Sequence, residues 1–561
     1  MDRSKPTLAF YGIKDRFAGK YPAVVHDHNA CLMQEGKVLQ YFQLERLSRR
    51  KYDNRLDQFL EDLVAEHKLV LPDEFDVVCV NDFVGSAFIS RDGRFRFEFN
   101  KPDSLNFNLH KGYGYFQSDE NNGRIVDSYL CQHEIAHICS CLPFFGNFKD
   151  NSLLVSLDGG SSLGNYAAFC HKGGKIRFIE NNWTDLGFAS KLFNDNRLSF
   201  EMLGAAPYEH CAVPGKLMGF ASWGEYSPDI EAWLLENDYF NRLGLHSKEQ
   251  LAQSIKDRFG KDCAVFDTHN TFLQDCAATM QTLFERAVLS KLTSLQERFH
   301  CDYLYYGGGC ALNIVTNTKI LESGLFKEVF IAPCCNDSGL SLGAAALMER
   351  MKGHTIALHS PYLNNCGLDI PSVCEANDKD VEATAECLLN GGIVGVCNGA
   401  GESGPRALGN RSLLALPNSK PLSQRISMQV KKREWYRPVA PVMLSRLVPE
   451  VAVQKESALA KYMLMDFTVK EDKVSALEGV VHSNGTARIQ TIETEDENPF
   501  IYKLLTLLYE KHGILALINT SFNAQGEPIV HTVDEAGASA VEMCLDGIVF
   551  NGKFTRIKVH K

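Results

Sequence analysis

A chain of 561 residues is too long for one hydrophobic core, and its length predicts about two to four domains. Hydrophobic residues make up 45% and charged residues 23% of the chain, a balance that excludes disordered and fibrous proteins. The formal net charge is -11, which excludes a chain whose overall charge would wrap nucleic acid.

The sequence carries no signal of export or membrane insertion. Its first residues, MDRSKPTLAF, lack an apolar segment followed by a cleavage site, and no uncharged apolar run is long enough to cross a bilayer. The 18 cysteines follow neither a disulfide rhythm nor paired metal-ligand spacing, so we expect reduced and mostly buried thiols. These features indicate a cytoplasmic protein without membrane or nucleic-acid partners.

The first part of the chain has the pattern of a hairpin that opens an α/β domain. We expect a strand in YPAVV, a polar tip in HDHNA, a second strand, a turn at 35–37 and a third strand. The tip contains His26 and is short and polar, as a loop that approaches phosphate must be, although an ordinary hairpin loop fits as well. The basic run ending at Lys51 either neutralises a polyphosphate or forms a solvated face. Residues 54–67 predict an amphipathic helix.

The stretch QHEIAH contains two histidines four residues apart. On a helix, His133 and His137 leave the same face and could hold one divalent metal, with carboxylates from elsewhere completing the site. The string also matches H-E-x-x-H, which in a zinc peptidase makes Glu134 the general base. A helix whose histidines cap or pack locally is the third interpretation.

Three later strand ends carry residues suited to ligands. The strand SLLVSL ends at Asp158 and a glycine turn, so a strand with a polar tip occurs twice, as in actin-like and sugar-kinase-like ATPases. The aromatic strand YLYY leads into a turn that would admit adenosine closely, at Gly307, Gly308, Gly309 and Asn313. Asp337 precedes the helix SLGAAALMER, where it is either an N-cap or a fourth metal ligand beside His133, His137 and Asp158.

Residues 353–380 are polar and rich in Gly, Pro and Asn, which predicts a connection to a second domain. That domain begins with a helix, the strand IVGVC and the glycine-rich loop NGAGESGPRALGNRS, whose arginines offer forked donors to phosphate or carbamoyl oxygens. Further clusters follow in KKREWYRP, GTARIQT and NTSFN. One such cluster is usually surface charge, but four in one domain of an acidic protein predict a converging anion pocket.

Taken together, these strings resemble, over nearly the whole chain, the O-carbamoyltransferases of the nodulation-factor and antibiotic-tailoring type, the NodU/CmcH family. The similarity lies in HDHNA, LERLSRRKYD, QHEIAH, SLDGG, GKLMGFASWGEY, GGGCALN, NDSGLSLGAA, GESGPRALGNRS, REWYRPVAP, GTARIQTI and INTSFNAQGEP. The resemblance implies an α/β fold of two domains. Residues 1–355 would form an actin-like ATPase (TsaD-like) domain for carbamoyl transfer, and residues 380–561 a YrdC-like twisted-sheet domain that forms carbamoyl adenylate.

The resemblance also implies ligands and roles. The co-substrates would be ATP, with Mg²⁺ left open, and carbamoyl phosphate, and a metal, most often Fe²⁺ in the family, would act on a hydroxylated small-molecule acceptor in secondary-metabolite biosynthesis. His133, His137, Asp158 and Asp337 look like the metal ligands, and His26 and Lys51 like the catalytic groups. The positions expected to bind carbamoyl phosphate and nucleotide are Arg406, Lys431, Arg437, Arg488, Asn519 and Ser521.

Two departures and two alternatives accompany the resemblance. His28 and Asn29 are bulkier than the small residues usual after HD, and GAGESGPRAL replaces a bulkier family loop. A nucleotide-binding regulator on the same fold is one alternative, and it predicts that no acceptor is modified. The H-E-x-x-H peptidase is the other, although it leaves the glycine-arginine loops unexplained. The sequence leaves the acceptor, the metal and a homodimer open.

Overall fold

The computed structural model describes residues 2–15, 17, 24–118, 122–183, 196–241, 244–263, 266–370 and 376–557. Within them the protein is a mixed α/β structure of two domains. The first domain contains two sheets, and the second contains a third sheet and a small strand pair.

The first sheet is built on a hairpin and a parallel core. Its strands are β1 (Thr7–Tyr11), β2 (Asn29–Gln34), β3 (Lys37–Gln43), β4 (Asp76–Val80), β5 (Ala87–Ile89), β6 (Phe95–Glu98), β7 (His110–Gln117), β8 (Gly123–Ile125) and β9 (Ser128–Cys131). The order is β3-β2-β1-β4-β9-β7-β6-β5, with β8 on β7. The pairs β1–β2 and β2–β3 are antiparallel, whereas β1–β4 and β4–β9 are parallel.

The second sheet repeats this arrangement. Its strands are β10 (Ser152–Leu157), β11 (Tyr166–Lys172), β12 (Lys175–Asn182), β13 (Tyr303–Gly307) and β14 (Glu328–Phe330), in the order β12-β11-β10-β13-β14. The pairs β10–β11 and β11–β12 are antiparallel, and β10–β13 and β13–β14 are parallel. The strands β3-β2-β1-β4-β9 of the first sheet therefore share the topology of the second sheet, in which the ends of parallel strands deliver polar residues to corresponding places.

The third sheet belongs to the second domain. Its strands are β15 (Val394–Cys397), β16 (Arg411–Ala415), β17 (Ala440–Leu444), β20 (Gln490–Ile492), β21 (Leu517–Ser521), β22 (Gly547–Phe550) and β23 (Lys553–Arg556), in the order β20-β17-β21-β16-β15-β22-β23. The short strands β18 (Phe467–Thr468) and β19 (Thr486–Ala487) pair separately.

Helices cover the sheets and connect them. The α-helices span Leu44–Ser48, Leu56–Ala65, His133–Cys139, Leu142–Phe145, Arg197–Leu203, Val213–Ala221, Pro228–Glu236, Lys248–Phe259, Thr271–Phe299, Ile314–Glu322, Leu340–Met351, Asp378–Leu389, Lys420–Gln424, Val448–Val451, Pro499–His512 and Val533–Glu542. Shorter 3-10 or π turns span Pro207–Ala212, Asp238–Phe240, Gly309–Leu312, Asp337–Gly339, Arg425–Val430, Ser445–Leu447, Ala458–Tyr462, Glu471–Leu477 and Glu495–Glu497. None of the helices in the described ranges is both long and apolar enough to cross a membrane.

Two helices form the centre of the first domain. The helix Leu340–Met351 is buried from Leu340 to Glu349 and lies between the first sheet and the helix His133–Cys139. At Gly343 a β-carbon would come within 1.9 Å of the carbonyl oxygen of Ala136, so only glycine allows this helix contact. The close contact fixes the position of both histidines relative to the chain around Asp337.

The hairpin prediction was partly wrong. The strands β2 and β3 and the turn between them are confirmed, and so is the helix after Lys51. However, Val24 and Val25 are in a loop, where their N–H groups donate to Asp15, and residues 21–23 lie outside the described residues. The strand that pairs with β2 is TLAFY, which is buried on both faces and so lacks the alternation that identifies a half-exposed strand.

Candidate active site

The two histidines of QHEIAH and Asp337 form a buried trio. The helix His133–Cys139 begins directly after β9, and its first residue and fifth residue place two Nε2 atoms 3.0 Å apart. Asp337, from the turn before Leu340–Met351, places Oδ1 3.4 Å from each of these nitrogens. The donor atoms of the trio all lie within 4.8 Å of one another. Two imidazoles and one carboxylate are a donor set for Fe(II) and other divalent metals, so these residues fit a metal.

Asp158 joins this trio from the glycine turn after β10. Its Oδ2 lies 3.3 Å from Nε2 of His137 and also accepts the N–H of Gly309. Its Oδ1 accepts the N–H of Gly159 at 2.6 Å. The carboxylate therefore connects the two glycine turns with the histidine helix, and all four residues named as metal ligands from the sequence lie together.

Asp337 is held in its ionised form. Burial favours the neutral acid, but His26 and His133 are close enough to lower the pKa of Asp337 well below its usual range. A carboxylate that stays charged among imidazoles suits a cation site.

A further carboxylate, Asp82, supports His133 and was missed from the sequence. Its Oδ2 lies 3.5 Å from Nδ1 of His133 and accepts the hydroxyl of Tyr11, while Asn81 accepts the backbone N–H of His133. A carboxylate on the far nitrogen orients a metal-binding imidazole and fixes its tautomer. The signal was the Asn-Asp pair directly after the buried strand β4.

Glu134 has a structural role away from the histidines. Its carboxylate accepts the hydroxyl of Ser162 and, at 2.7 Å, the N–H of Leu163, so it holds the loop that follows Asp158. A peptidase base would have to face water at the metal. The contacts of Glu134 therefore count against the peptidase interpretation.

The loop of His26 approaches the trio from the first sheet. Nδ1 of His26 lies 3.1 Å from Oδ2 of Asp27 and 3.9 Å from Oδ2 of Asp337. The bulky neighbours point into the protein: His28 and Asn29 are fully buried. Asn29 donates to the carbonyl oxygens of Asp27 and Asp337, which ties the loop to the ligand turn. The larger side chains therefore do not narrow the space in front of His26.

One cavity of about 390 Å³ is lined by both domains. From the first domain it is lined by His26, Asp27, Lys51, Tyr52, Asp158, Gly309, Asn313 and Asp337, among others. From the second domain it is lined by Arg406, Arg433, Arg437, Arg488, Asn519 and Ser521, among others. The structure thus brings the residues assigned to the two domains from the sequence onto one surface.

The cavity arginines lie close together, and among them Arg437 pairs with Glu434 at 3.3 Å. Burial, and then Arg437, lowers the pKa of Arg433 to about 9, and burial is also the main cause that lowers the pKa of Arg406 to about 10. The Nε atoms of Arg406 and Arg488 are buried and have no hydrogen-bond partner among the described residues. Repulsion between such cations is relieved by a bound anion, so this wall is suited to phosphate.

Two basic residues have roles that the sequence did not reveal. Lys431 is buried, and its ammonium donates to the backbone and side chains of Ser521 and Asn523, so it positions the end of β21 rather than lining the cavity. Arg433, which was not singled out, donates to Thr520 and Ser521 at 3.2 and 3.0 Å. Only its place in KKREWYRP could have indicated it.

The glycine-rich loop before β16 is built around two buried charges. Oε1 of Glu402 accepts the N–H groups of Leu408, Asn410 and Arg411 at 2.8, 2.9 and 3.0 Å. Arg411 was expected to face phosphate, but its guanidinium is buried and donates to backbone carbonyls, among them that of Asn398 at 2.7 Å. This part of the prediction was wrong. Buried backbone carbonyls of the turn need hydrogen-bond donors, and the guanidinium of Arg411 supplies them instead of facing a phosphate. Arg406 is left as the arginine of this loop that lines the cavity.

The glycines before Asn313 allow close backbone packing, and one of them also lines the cavity. Gly308 has φ +97, and a β-carbon there would lie 2.1 Å from the carbonyl oxygen of Leu157. Asn313 caps the helix Ile314–Glu322 and exchanges two hydrogen bonds with Gln281. Gly309 and Asn313 line the cavity, whereas Gly307 and Gly308 lie behind it against neighbouring backbone.

The chain between the domains contacts both of them. Asn364 accepts the N–H of Gln43 and donates to the side chain of Gln43 and the carbonyl of Glu402. It also pairs through its backbone with Gly401. The buried Arg46 donates to the carbonyl of Gly404 at 3.0 Å. These bonds fix the arginine loop against β3.

A second contact between the domains holds the segment REWYRP. The ring of Trp435 stacks on His269 at 4.5 Å and meets Trp223 edge-on at 4.7 Å, and its Nε1 donates to Thr268. Next to it, Lys216 pairs with Glu434 at 2.9 Å. The residues next to the cavity arginines Arg433 and Arg437 are therefore held by the first domain.

Comparison with known proteins identifies the family of the chain. The family model of the carbamoyltransferase N-terminus matches residues 17–346, and that of the carbamoyltransferase C-terminus matches residues 385–556. The chain belongs to the carbamoyltransferase family, and the enzyme class expected from the sequence is confirmed.

Named relatives cover most of the chain. The 3'-hydroxymethylcephem-O-carbamoyltransferase of Streptomyces clavuligerus is 36% identical over 91% of this chain and 93% of its own. The nodulation protein NolNO of Sinorhizobium fredii is 28% identical over 94% of this chain and 78% of its own. Among solved structures, full-length HypF in its phosphate- and nucleotide-bound form is 11% identical over 63% of this chain and 56% of its own, with a TM-score of 0.29. A score this low carries no argument about the fold.

Proposed function

We propose that this carbamoyltransferase uses ATP, carbamoyl phosphate and one water to form carbamoyl adenylate with release of phosphate and pyrophosphate, and then transfers the carbamoyl group to a hydroxyl of a small molecule with release of AMP. The observation that carries the proposal is one cavity lined both by Asp158 and Asp337, which contact the buried histidines, and by the arginine cluster. The names of two relatives, a 3'-hydroxymethylcephem-O-carbamoyltransferase and a nodulation protein, support an acceptor from secondary metabolism.

The arginine wall would carry the first step. Arg406, Arg437 and Arg488 neutralise two anionic reactants, carbamoyl phosphate and ATP, and so allow them to approach each other. Lys431 contributes by holding Ser521 and Asn523 in place. Adenylation gives the unreactive carbamoyl group a good leaving group.

The part of the cavity lined by Asp158 and Asp337 would carry the second step. His133, His137, Asp337 and Asp158 would hold a divalent metal, which we propose is Fe²⁺ and which when bound supplies Lewis-acid polarisation of the carbamoyl carbonyl or the leaving phosphate. Nδ1 of His26 is hydrogen-bonded to Asp27, and the imidazole, which also contacts the Cys211 thiol, would receive the proton of the acceptor hydroxyl. Lys51, on the cavity wall, would balance the charge of the leaving phosphate.

The domain assignment follows the same division. We propose an actin-like, TsaD-like domain over residues 1–355 and a YrdC-like domain over residues 380–561. The shared topology of the first two sheets supports the former, because a duplicated sheet with ligands at matching strand ends is how such ATPases are built. One cavity between the domains would pass the labile intermediate across without release to water.

Separate half-reactions test the proposal. Arg488→Ala is expected to reduce carbamoyl-phosphate-dependent pyrophosphate release by about 100-fold or more, since it removes a buried cation from the anion wall. His26→Ala is expected to keep that release within about threefold of the wild type and to abolish acceptor carbamoylation. Arg425→Ala, a surface arginine outside the cavity lining, serves as the matched control. Equal loss of pyrophosphate release in the His26 and Arg488 variants contradicts the assignment of His26 to the second step.

A further inference from the structure

A buried carboxyl group on the cavity wall has no role in the steps above. Asp466 belongs to the second domain, lines the cavity and is 7% exposed. Its Oδ1 is buried and has no hydrogen-bond partner among the described residues. Buried polar atoms in folded proteins are almost always paired, so an unpaired one on a cavity wall points to a ligand that supplies the partner.

The position of Asp466 is set by the first domain. The hydroxyl of Thr318 accepts the N–H of Asp466 at 3.0 Å and lies 3.3 Å from its carbonyl oxygen. Asn317 donates to the carbonyl of Leu464 at 2.9 Å. Both partners are on the helix Ile314–Glu322, so the carboxyl group is held at the junction of the domains with its backbone fixed.

Apolar side chains line part of the same cavity. The elements next to Asp466 contribute Phe284, Ile314 and Val315 to the lining, and the second domain adds Met463. These side chains offer surfaces for a flat ring, and one carboxyl oxygen among them offers a single directional hydrogen bond. The arginines that line the same cavity suit the phosphates of the same molecule.

We propose that Asp466 recognises the adenine base of the nucleotide, with its carboxyl oxygen accepting a hydrogen bond from the exocyclic amino group. This inference rests on the proposed function, in which ATP or the adenylate made from it occupies the cavity. Asp466 is then a specificity residue supplied by the second domain to a base that lies against helices of the first. The nucleotide would join the two domains, with its base at Asp466 and its phosphates at the arginines.

The test compares ATP with purine riboside triphosphate, which lacks only the amino group. In the wild type, ATP is expected to have a KM lower by about 10- to 100-fold in pyrophosphate release, the worth of one buried hydrogen bond to a carboxyl group. Asp466→Ala is expected to raise the KM for ATP to that of the analogue and to leave kcat within about threefold. Asp466→Asn, which keeps an acceptor oxygen, is expected to retain part of the preference for ATP.

Controls separate this inference from the function on which it rests. Asp472→Ala, at an exposed carboxylate in the same domain, is expected to behave as the wild type. The penalty for 2'-deoxy-ATP is expected to be equal in the wild type and in Asp466→Ala; its loss in the variant would assign Asp466 to the ribose and overturn the base contact. A wild type that depends on ATP while Asp466→Ala keeps the wild-type preference overturns the inference alone. A wild type without ATP-dependent turnover overturns the proposed function as well.

Discussion

Glu402 offers a measurable test of how the arginine loop is held. Its Oε1 accepts three backbone N–H groups, and the side chain is fully buried, so in Glu402→Ala these donors lose their acceptor at once. A buried donor without a partner costs about 1 kcal/mol or more, which gives at least about 3 kcal/mol for the three. At about 1.4 kcal/mol for each factor of ten, the loop should open about 100-fold more often.

Amide hydrogen exchange reports this opening directly, because local unfolding free energies set the exchange rates of individual segments. We expect the peptide that covers residues 402–411 to exchange about 100-fold faster in Glu402→Ala. Pyrophosphate release should also require more carbamoyl phosphate, since Arg406 belongs to this loop. Glu402→Gln, which keeps one acceptor oxygen, should lie between the two, and exposed Glu471→Ala should match the wild type. Exchange within about threefold of the wild type in Glu402→Ala would refute the reasoning.

Three further outcomes are expected. Elemental analysis should find one divalent metal per chain in the wild type and in His512→Ala but none in His137→Ala, whose fold should stay intact. Full metal occupancy in His137→Ala would contradict the proposed metal site. Burial lowers the pKa of His531 from 6.5 to about 3, so between these pH values the unfolded chain binds more protons than the folded chain. The free energy of unfolding, measured with urea, should therefore fall as the pH drops through this window. His531→Gln should make that free energy depend less on pH, and an unchanged dependence would contradict this reasoning. Trp435→Ala should raise the KM for carbamoyl phosphate about tenfold or more, because two ring contacts and one hydrogen bond that position the segment of Arg437 are lost. An unchanged KM would show that the segment REWYRP keeps its position without these contacts.

The site could be predicted from the sequence as far as strand ends indicate it. His133 follows β9 of the first sheet, whereas Asp158 and Asp337 follow β10 and β14 of the second, and the strand ends of these two sheets bring such residues together whatever lies between them in the chain. Roles that depend on which distant carbonyl needs a donor could not be predicted. Arg411 and Lys431 carry the same charge as the arginines of the cavity, and only the folded backbone shows that they bind protein groups.

The fold shows the same division. β3 and the helix Leu56–Ala65 have the periodicity of half-buried elements and were predicted correctly. β1 lacks this periodicity because its residues are buried on both faces. From the sequence, its apolar run could not be distinguished from the run YPAVV as the strand that pairs with β2. The second carboxylate, Asp82, stayed unrecognised because an Asn-Asp pair after a strand is common in ordinary turns.

The hydrogen bonds of Asn364 restrict how the two domains can be exchanged between related proteins. One side chain binds Gln43 in the first domain and Glu402 in the second, and the backbone around it pairs with Gly401. A second domain recombined from a relative would have to bring a matching partner for each of these groups. A functional exchange at this junction would therefore have to replace the connection and the arginine loop together.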